Sequence, residues 1–244
     1  MSIDACLPEP QHRIQKDSNG KVGSEKAKFV LFSDFTCPYC YLEFLRLKRA
    51  MSLKPEEERL PISYSPFQLD DSLPAEGVDK YEFLSNLIPP AALDPMIDEL
   101  GNRFKPLGVE FTGRGLIGNS AQAHCLMIWA SENGASQAEL LKLLDALFQI
   151  HCSIGKSIGD PDAIIEAAAK AGFMDEAEIR SVLKNPKYMS KLKELRAYAT
   201  AEFGITTVPC LTVVKKDGKQ EKLEEAAQID SVQGFTDLID EYSS

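Results

Sequence analysis

The sequence lacks the apolar segments that would carry a chain into or across a membrane. Asp4, Pro8, Glu9 and Pro10 stand where a secretory signal peptide would need an apolar stretch. No apolar run elsewhere approaches the length of a membrane span. We therefore expect a cytoplasmic protein with no membrane partner. Because the cytoplasm keeps most thiols reduced, a cysteine pair here indicates catalysis or metal binding rather than a structural disulfide.

Basic side chains are also scarce. The chain has 27 Lys and Arg against 37 Asp and Glu, and a formal net charge of −10. Nucleic acids and anionic bilayers both select basic surfaces, so neither is predicted as a partner. A chain of 244 residues is long enough to bury a hydrophobic core without a disulfide framework.

Two short β-prone runs flank a predicted helix early in the sequence. Lys28 to Asp34 (KFVLFSD) and Leu60 to Phe67 (LPISYSPF) have the length and composition of strands. Between them, Pro38 suits the first turn of a helix, where its missing N–H costs nothing. This order predicts a right-handed βαβ unit. The β signal returns at Cys210 to Val214 (CLTVV), before a KKDGK turn and a short strand.

The middle of the chain carries almost only helical signals, from about Asp70 to Met189. Cap residues and amphipathic stripes recur there, including a helix that begins at Asp160-Pro161 and ends at Gly172. The pattern predicts an α/β protein whose β-containing domain is split by a helical insertion. The predicted divisions are a flexible N-terminal tail over 1–26, a β-containing domain formed by 27–70 and 190–244, and a helical insertion over 71–189.

The motif with the strongest chemical content is Cys37-Pro38-Tyr39-Cys40. Cys37 stands at the cap position of the predicted helix, where unpaired N–H groups and the helix dipole stabilise a thiolate. Cys40, one turn further along, lies on the same side and should be less exposed. The spacing therefore predicts Cys37 as the nucleophile of a thiol–disulfide exchange and Cys40 as the thiol that resolves the mixed disulfide.

A zinc site is the main alternative interpretation of this motif. A closed tetrahedral site usually needs a second pair of ligands. The adjacent pairs His124-Cys125 and His151-Cys152 are poor candidates, because neighbouring residues on a helix point in different directions. We therefore predict no metal site. A merely structural cysteine pair is disfavoured by its position between a strand and a helix.

A second segment of interest is GITTVPC, which leads into the returning strand through Val208-Pro209. A proline at the head of a strand lacks its ladder N–H, and a cis X–Pro bond there would be a specific structural feature. With this segment, the sequence resembles the DsbA-like thioredoxin-fold oxidoreductase family, most closely its FrnE-type branch. The matching stretches are SDFTCPYCY (Ser33 to Tyr41), PFQLDDSLPAEG (Pro66 to Gly77), NSAQAHCLMIWA (Asn119 to Ala130), IGDPDAI (Ile158 to Ile164) and FGITTVP (Phe203 to Pro209).

The resemblance implies a thioredoxin fold with an all-helical domain inserted between its N- and C-terminal halves. It implies that the two cysteines of the CPYC motif form the redox pair and that Pro209 is in cis. It also implies that the backbone of Val208 pairs with an extended substrate segment beside Cys37. Thr207, Pro209 and Tyr39 are expected to join Val208 in binding the substrate.

Two other functions are alternatives to thiol–disulfide exchange, and the first of them comes from the resemblance. Kappa-class glutathione transferases and hydroxychromene carboxylate isomerases resemble this family but carry serine where Cys37 stands. Glutathione is therefore an alternative co-substrate, and no other cofactor is expected. A peptide-binding or chaperone-like protein is a non-enzymatic alternative. The expected partner is a protein or small molecule that carries a disulfide or thiol, and the oligomeric state is not predicted.

Five further residues are candidates for supporting roles. Pro38 begins the helix that carries the redox pair. Asp34 either accepts a proton from Cys40 or closes a turn before the helix. Asn119 caps a helix or contacts substrate, and His124 is either a satisfied core histidine or part of a cleft. Cys210 is either a small buried hydrophobe or a third redox thiol.

Overall fold

A computed structural model describes residues 26–243 of the chain. The predicted N-terminal tail over 1–26 therefore lies outside the described residues, apart from Lys26. No helix within the described part of the chain is both long and apolar enough to span a bilayer.

The strands form two sheets. They are β1 (Lys28–Ser33), β2 (Ile62–Pro66), β3 (Val78–Asp79), β4 (Leu116–Ile117), β5 (Cys210–Val214) and β6 (Gln220–Lys222). A four-stranded sheet has the order β2-β1-β5-β6, and β3 and β4 make a separate two-stranded ladder. In the larger sheet β1 is parallel to β2 and antiparallel to β5. The predicted β1–helix–β2 unit is thus confirmed, and the returning strand β5 pairs with the other side of β1.

Nine helices surround this sheet within residues 26–243. They are α1 (Pro38–Leu53), α2 (Lys80–Ser85), α3 (Pro90–Phe104), α4 (Ala121–Glu132), α5 (Gln137–Gln149), α6 (Pro161–Ala171), α7 (Glu176–Leu183), α8 (Pro186–Phe203) and α9 (Val232–Ser243). A π-helical turn, Ile150–Ile154, extends α5. Short 3₁₀ segments cover Glu56–Glu58, Lys105–Leu107 and Glu224–Gln228.

Local sequence chemistry explains where the predicted helices begin and end. Asp160 accepts a hydrogen bond from the N–H of Asp162, and Pro161 fills the first position of α6. Gly172 and Gly204 end α6 and α8 in the left-handed conformation, which glycine adopts without steric cost. The beginning of α6 after Asp160 and its end at Gly172 confirm the sequence analysis.

Two parts of the fold differ from the sequence expectations. The inserted segment is helical except for the β3–β4 ladder, which joins residues on either side of α2 and α3. The amphipathic pattern from Ile229 to Tyr242 predicts a final helix over those residues, but α9 begins at Val232, where the Ser231 hydroxyl accepts a hydrogen bond from the N–H of Gly234. Helix α8 crosses residue 190, and the division of the chain at residues 71 and 190 stays a prediction.

An aromatic cluster packs the insertion against the helix that carries the CPYC motif. Phe148 of α5 lies 4.9 Å from the ring of Tyr41 and 5.1 Å from that of Phe35, centroid to centroid. Phe104 of α3 lies 5.5 Å from Tyr41 on another side. The Tyr41 hydroxyl also donates a 2.6 Å hydrogen bond to the Asp145 carboxylate. Helix α1 is therefore held by residues of the insertion as well as by the sheet.

Candidate functional site

The CPYC motif lies where the first strand gives way to the first long helix. Cys37 is the N-cap residue of α1, and its side chain makes no capping hydrogen bond. Pro38 occupies the first helical turn, as expected. The Cys37 N–H donates to the Asp34 carbonyl over 3.1 Å, which fixes the turn before the helix. The thiol of Cys37 is therefore presented at the helix N-terminus without being used to cap it.

The segment around the cis proline faces this thiol. The peptide bond between Val208 and Pro209 is cis, as the resemblance implies. The Cys37 thiol donates to the Val208 carbonyl with a sulfur–oxygen distance of 3.7 Å. Val208 itself is buried, Pro209 is half-buried and Thr207 is exposed. Cys37 and the segment of Val208 and Pro209, predicted from two separate parts of the sequence, thus meet at one end of the central strands β1 and β5.

The second cysteine of the motif is shielded from solvent. Cys40 is fully buried, whereas 8% of Cys37 is exposed. Burial, and then the neighbouring Cys37 thiol, raise the pKa of Cys40 well above its usual value. Cys40 is therefore held as a neutral thiol, and Cys37 is the cysteine of the pair that reaches solvent.

The buried side chain of Asp34 binds two backbone segments next to the motif. One of its carboxylate oxygens accepts from the Thr36 N–H (3.1 Å), and the other accepts from the Leu69 N–H (2.6 Å). Burial alone raises the pKa of this carboxyl, but His124 and the two backbone donors more than offset it and hold the pKa below its ordinary value. The hydrogen bond to Thr36 confirms the turn-closing role expected for Asp34. The hydrogen bond to Leu69 also holds the loop that follows β2.

His124 lies behind Asp34 in the core. Its side chain is fully buried, and its Nδ1 lies 2.5 Å from the Tyr64 hydroxyl. Its Nε2 lies 3.6 Å from the Asp34 carboxylate, within ion-pairing range but too far for a hydrogen bond. The ring packs against that of Phe35, 5.0 Å away. His124 is thus a core histidine whose ring lies beside the Asp34 carboxylate.

The side chain of Asn119 forms hydrogen bonds with the segment that follows β2. The N-cap residue of α4 is Ser120, whose side chain makes no capping hydrogen bond, and the Oδ1 of Asn119, one residue earlier, accepts from the N–H of Ala121. Its Nδ2 donates to the carbonyls of Asp71 and Leu73, both over 3.0 Å. Gln68 donates to the same Oδ1 over 2.9 Å. Asn119 therefore organises residues 68–73 through hydrogen bonds, most of them to backbone groups.

Tyr39 and Cys210 occupy contrasting positions beside the motif. Tyr39 is 39% exposed, and the guanidinium of Arg103 lies 5.7 Å from its ring centroid. Cys210 follows the cis proline but is 7% exposed, and burial chiefly raises its pKa to about 11. All five cysteines that the structure describes carry free thiols. The packing of Cys210 matches the small-hydrophobe interpretation, and its redox role stays a prediction.

Glu43 is a buried carboxyl that the sequence analysis missed. It lies one turn after Cys40 on α1, is 5% exposed, and its Oε1 has no hydrogen-bond partner within the described chain. Burial raises its pKa to about 8, although the charge of Arg46 opposes the shift. The spacing of Glu43 is the sequence feature that indicates its burial. It directly precedes Phe44 and lies one turn before Leu47, and both are buried apolar residues of α1.

Replacing Glu43 by glutamine is expected to flatten the pH dependence of stability. The native carboxyl keeps a proton that the unfolded chain releases above about pH 4.5, so the free energy of unfolding falls as pH rises from there to about 8. We expect Glu43 to contribute roughly 2–4 kcal/mol to this fall. Urea unfolding of wild type, Glu43→Gln and the exposed control Glu57→Gln at pH 5 and pH 8 measures it. Parallel behaviour of wild type and Glu43→Gln would contradict the burial argument.

A second buried polar group, also missed, lies at the π-helical turn. Lys80 is 2% exposed, and its ammonium donates to the carbonyls of His151 (2.6 Å) and Thr112 (3.3 Å). Burial lowers the pKa of Lys80 to about 8. These bonds join α2 to the end of α5. Nothing in the local sequence indicates them, because they depend on how the insertion folds back.

No cluster of three or more His, Cys, Asp or Glu suited to a metal ion occurs among residues 26–243. The geometry instead brings together a cysteine at a helix N-terminus, a buried second cysteine and a cis-proline segment. That arrangement, on a sheet with a parallel β1–α1–β2 unit, defines a thioredoxin-fold protein. The chain belongs to the DSBA-like thioredoxin domain family, whose match covers residues 29–237.

Solved structures share the fold at low sequence identity. A probable DsbA oxidoreductase from Streptomyces coelicolor is 23% identical with a TM-score of 0.73, covering 88% of this chain and 89% of that chain. The cytosolic disulfide reductase DsbM from Pseudomonas aeruginosa, also solved with glutathione, is 14% identical with a TM-score of 0.61, covering 88% and 97%. A 2-hydroxychromene-2-carboxylate isomerase is 16% identical with a TM-score of 0.57, covering 84% and 94%. No curated protein gives a significant match.

Proposed function

We propose that this protein is a thiol–disulfide oxidoreductase in which Cys37 attacks and Cys40 resolves. The observation that carries the proposal is the position of the Cys37 thiol at the start of α1. The thiol makes no capping hydrogen bond, and its sulfur lies 3.7 Å from the Val208 carbonyl oxygen. A thiolate there faces both the helix N-terminus and a backbone edge on which an extended substrate can lie. Membership of the DSBA-like family agrees with this chemistry.

The proposed cycle conserves atoms and electrons at each step. The Cys37 thiolate attacks one sulfur of the substrate disulfide; a new S–S bond forms, and the other substrate sulfur leaves as a thiolate that takes up a proton. Cys40 then loses its proton and attacks the Cys37 sulfur, which releases the second substrate thiol. The substrate gains two electrons and two protons, and Cys37 and Cys40 become a disulfide. Oxidation of a substrate dithiol is the reverse sequence.

Different parts of the site account for substrate binding in this proposal. The backbone of Val208 pairs with the substrate segment, and Thr207, Pro209 and Tyr39 border the same position. The FrnE-type branch and a cytoplasmic location are part of the proposal. A disulfide reductase named as cytosolic among the structural neighbours agrees with that location.

The Cys40→Ser variant is expected to accumulate a mixed disulfide with substrate. Without the resolving thiol, the adduct on Cys37 persists, because the attack of Cys40 that displaces the substrate is lost. A disulfide-bonded peptide is incubated with reduced protein, and the adduct is located by mass spectrometry after non-reducing electrophoresis. A stoichiometric adduct at Cys37 is expected in Cys40→Ser and none in Cys37→Ser.

A glutathione-dependent isomerase or transferase is the second candidate, favoured by the isomerase among the structural neighbours. In that case Cys40 is dispensable, because such chemistry forms no intramolecular disulfide. Full turnover of a glutathione-dependent isomerisation by Cys40→Ser, with no peptide adduct on Cys37, would replace the proposed function with this one.

A further inference from the structure

A buried hydroxyl lies at the end of the strand that leads to the CPYC motif. Ser33 is the last residue of β1 and is fully buried, yet its Oγ makes no hydrogen bond of regular geometry within residues 26–243. Its backbone carbonyl, by contrast, accepts from the Phe67 N–H over 3.0 Å. Buried polar side chains are normally hydrogen-bonded, because an unpaired group loses its water without compensation. An unused donor inside the protein therefore indicates a partner that needs it in another chemical state.

The alternation of side chains along β1 directs this hydroxyl towards α1. Phe29 and Ser33 share one face of the strand, because successive side chains point to opposite faces. The ring of Phe29 lies 6.0 Å from that of Tyr242 in α9, and α9 packs against α1, so this is the face that the two helices cover. Cys40 is fully buried in the first turn of α1, and only residues 34–37 separate β1 from that helix. Ser33 and Cys40 therefore lie at the same end of the sheet and on the same side of it.

The Cys40 sulfur is the group that the Ser33 hydroxyl approaches. Burial, and then the Cys37 thiol, raise the pKa of Cys40. Hydrogen bonds with the Ser33 side chain and with the backbone of Asp34 oppose that rise. The contact with Ser33 is imperfect while Cys40 is neutral, because a thiol is a weak acceptor, whereas a thiolate accepts shorter and stronger hydrogen bonds. The contact therefore tightens when Cys40 loses its proton.

The resolving step has to create a negative charge at a site that water does not reach. Cys40 is fully buried, and burial disfavours the charged form of a thiol. A donor that binds the thiolate more strongly than the thiol lowers the barrier of this step, because its contribution grows as the charge develops. Cys37 has no such need, since it reaches solvent and lies at the N-terminus of α1. The hydroxyl is thus expected to affect resolution and not the first attack.

We propose that Ser33 is a catalytic residue whose hydroxyl donates a hydrogen bond to the Cys40 thiolate as it resolves the mixed disulfide. The inference rests on the proposed function, because it assigns a group to the second step of that cycle. In this step the S–H bond of Cys40 breaks, a disulfide forms between Cys37 and Cys40, and the bond from Cys37 to the substrate sulfur breaks. The leaving sulfur takes the electron pair and then a proton, which replaces the one that Cys40 lost. Ser33 keeps its own proton throughout.

The test separates the two steps of the cycle in time. A small amount of the aromatic disulfide dithiobis(nitrobenzoic acid) is mixed with excess reduced protein, and the absorbance of the released aromatic thiolate is followed by stopped flow. The first equivalent appears when Cys37 attacks, at a rate that depends on the protein concentration. The second appears when Cys40 resolves the adduct, at a rate that does not. All proteins carry Cys6→Ser, which removes the one cysteine outside residues 26–243.

The Ser33→Ala variant is expected to slow the second phase about five- to tenfold and to leave the first phase within about twofold of wild type. The first phase also reports that the variant is folded, because it depends on the presentation of Cys37. Ser65→Ala is the matched control. Ser65 is fully buried too, and its hydroxyl has no partner within residues 26–243. It pairs with Phe32 in the register of β1 and β2, so its side chain lies on the opposite face of the sheet, and both phases are expected to stay unchanged.

The outcomes separate this inference from the proposed function. If the wild-type protein releases only one equivalent of aromatic thiolate, as Cys40→Ser is expected to do, resolution does not occur and the proposed function fails. If wild type shows both phases but Ser33→Ala slows neither of them, or slows both equally, the role of Ser33 is wrong and the proposed function stands. The same conclusion follows if Ser65→Ala slows the second phase as much as Ser33→Ala does.

Discussion

Replacing Cys37 by serine is expected to lower the rate of disulfide reduction by at least about a thousandfold. Serine has the same shape, but its hydroxyl is not ionised at neutral pH and does not attack disulfides, so the first step of the cycle is lost. The exchange of a fluorescent disulfide-linked peptide by the reduced protein measures this rate. The far-ultraviolet circular dichroism of the variant should match that of wild type, because the Cys37 side chain caps no helix.

The control for this prediction is a buried thiol away from the motif. Cys125 is fully buried on α4, with its sulfur 3.3 Å from that of Met189. Cys125→Ser is expected to retain the exchange rate while costing some stability, since it places a hydroxyl in an apolar site. Comparable activity in Cys37→Ser and wild type would mean that another sulfur carries the reaction, and the assignment of the nucleophile would fall.

Replacing Phe148 by alanine is expected to lower the free energy of unfolding by about 3–5 kcal/mol. Phe148 is fully buried, and its ring meets those of Tyr41, Phe35 and Phe44. Its removal leaves a cavity between α5 and the helix that carries the cysteines, and packed neighbours refill such a cavity only in part. Chemical denaturation followed by tryptophan fluorescence measures the loss, since Trp129 is the single tryptophan of the chain.

The same substitution at a half-buried site provides the comparison. Phe83 of α2 is half-buried and lies outside the aromatic cluster around Phe148, so Phe83→Ala is expected to cost about 1 kcal/mol or less. A single unfolding transition, shifted strongly by Phe148→Ala, indicates that the insertion and the sheet share one cooperative core. Two transitions, with only one of them shifted, would show instead that the insertion unfolds separately.

The features that were predictable from sequence have local causes. The β1–α1–β2 unit was visible because two β-prone runs flank Pro38, and α6 because Asp160 and Gly172 mark its ends. The two cysteines could be assigned different exposures from helix spacing alone. The cis proline came from the family resemblance rather than from periodicity.

The missed features depend on residues far apart in the sequence. The β3–β4 ladder has two residues in each strand, too few to produce an alternating pattern. The contact between His124 and Tyr64 joins residues that each look like ordinary core positions. Such contacts are set by tertiary packing, about which single-residue propensities carry no information.

The loop that follows β2 is anchored through its main chain. Asp34 binds the N–H of Leu69, and Asn119 binds the carbonyls of Asp71 and Leu73. Every amino acid except proline offers that N–H, and every one offers those carbonyls. The side chains of this loop can therefore be exchanged during evolution while its path beside Asp34 stays the same. One fold can in this way present different side chains at this position without any change to Asp34 or Asn119.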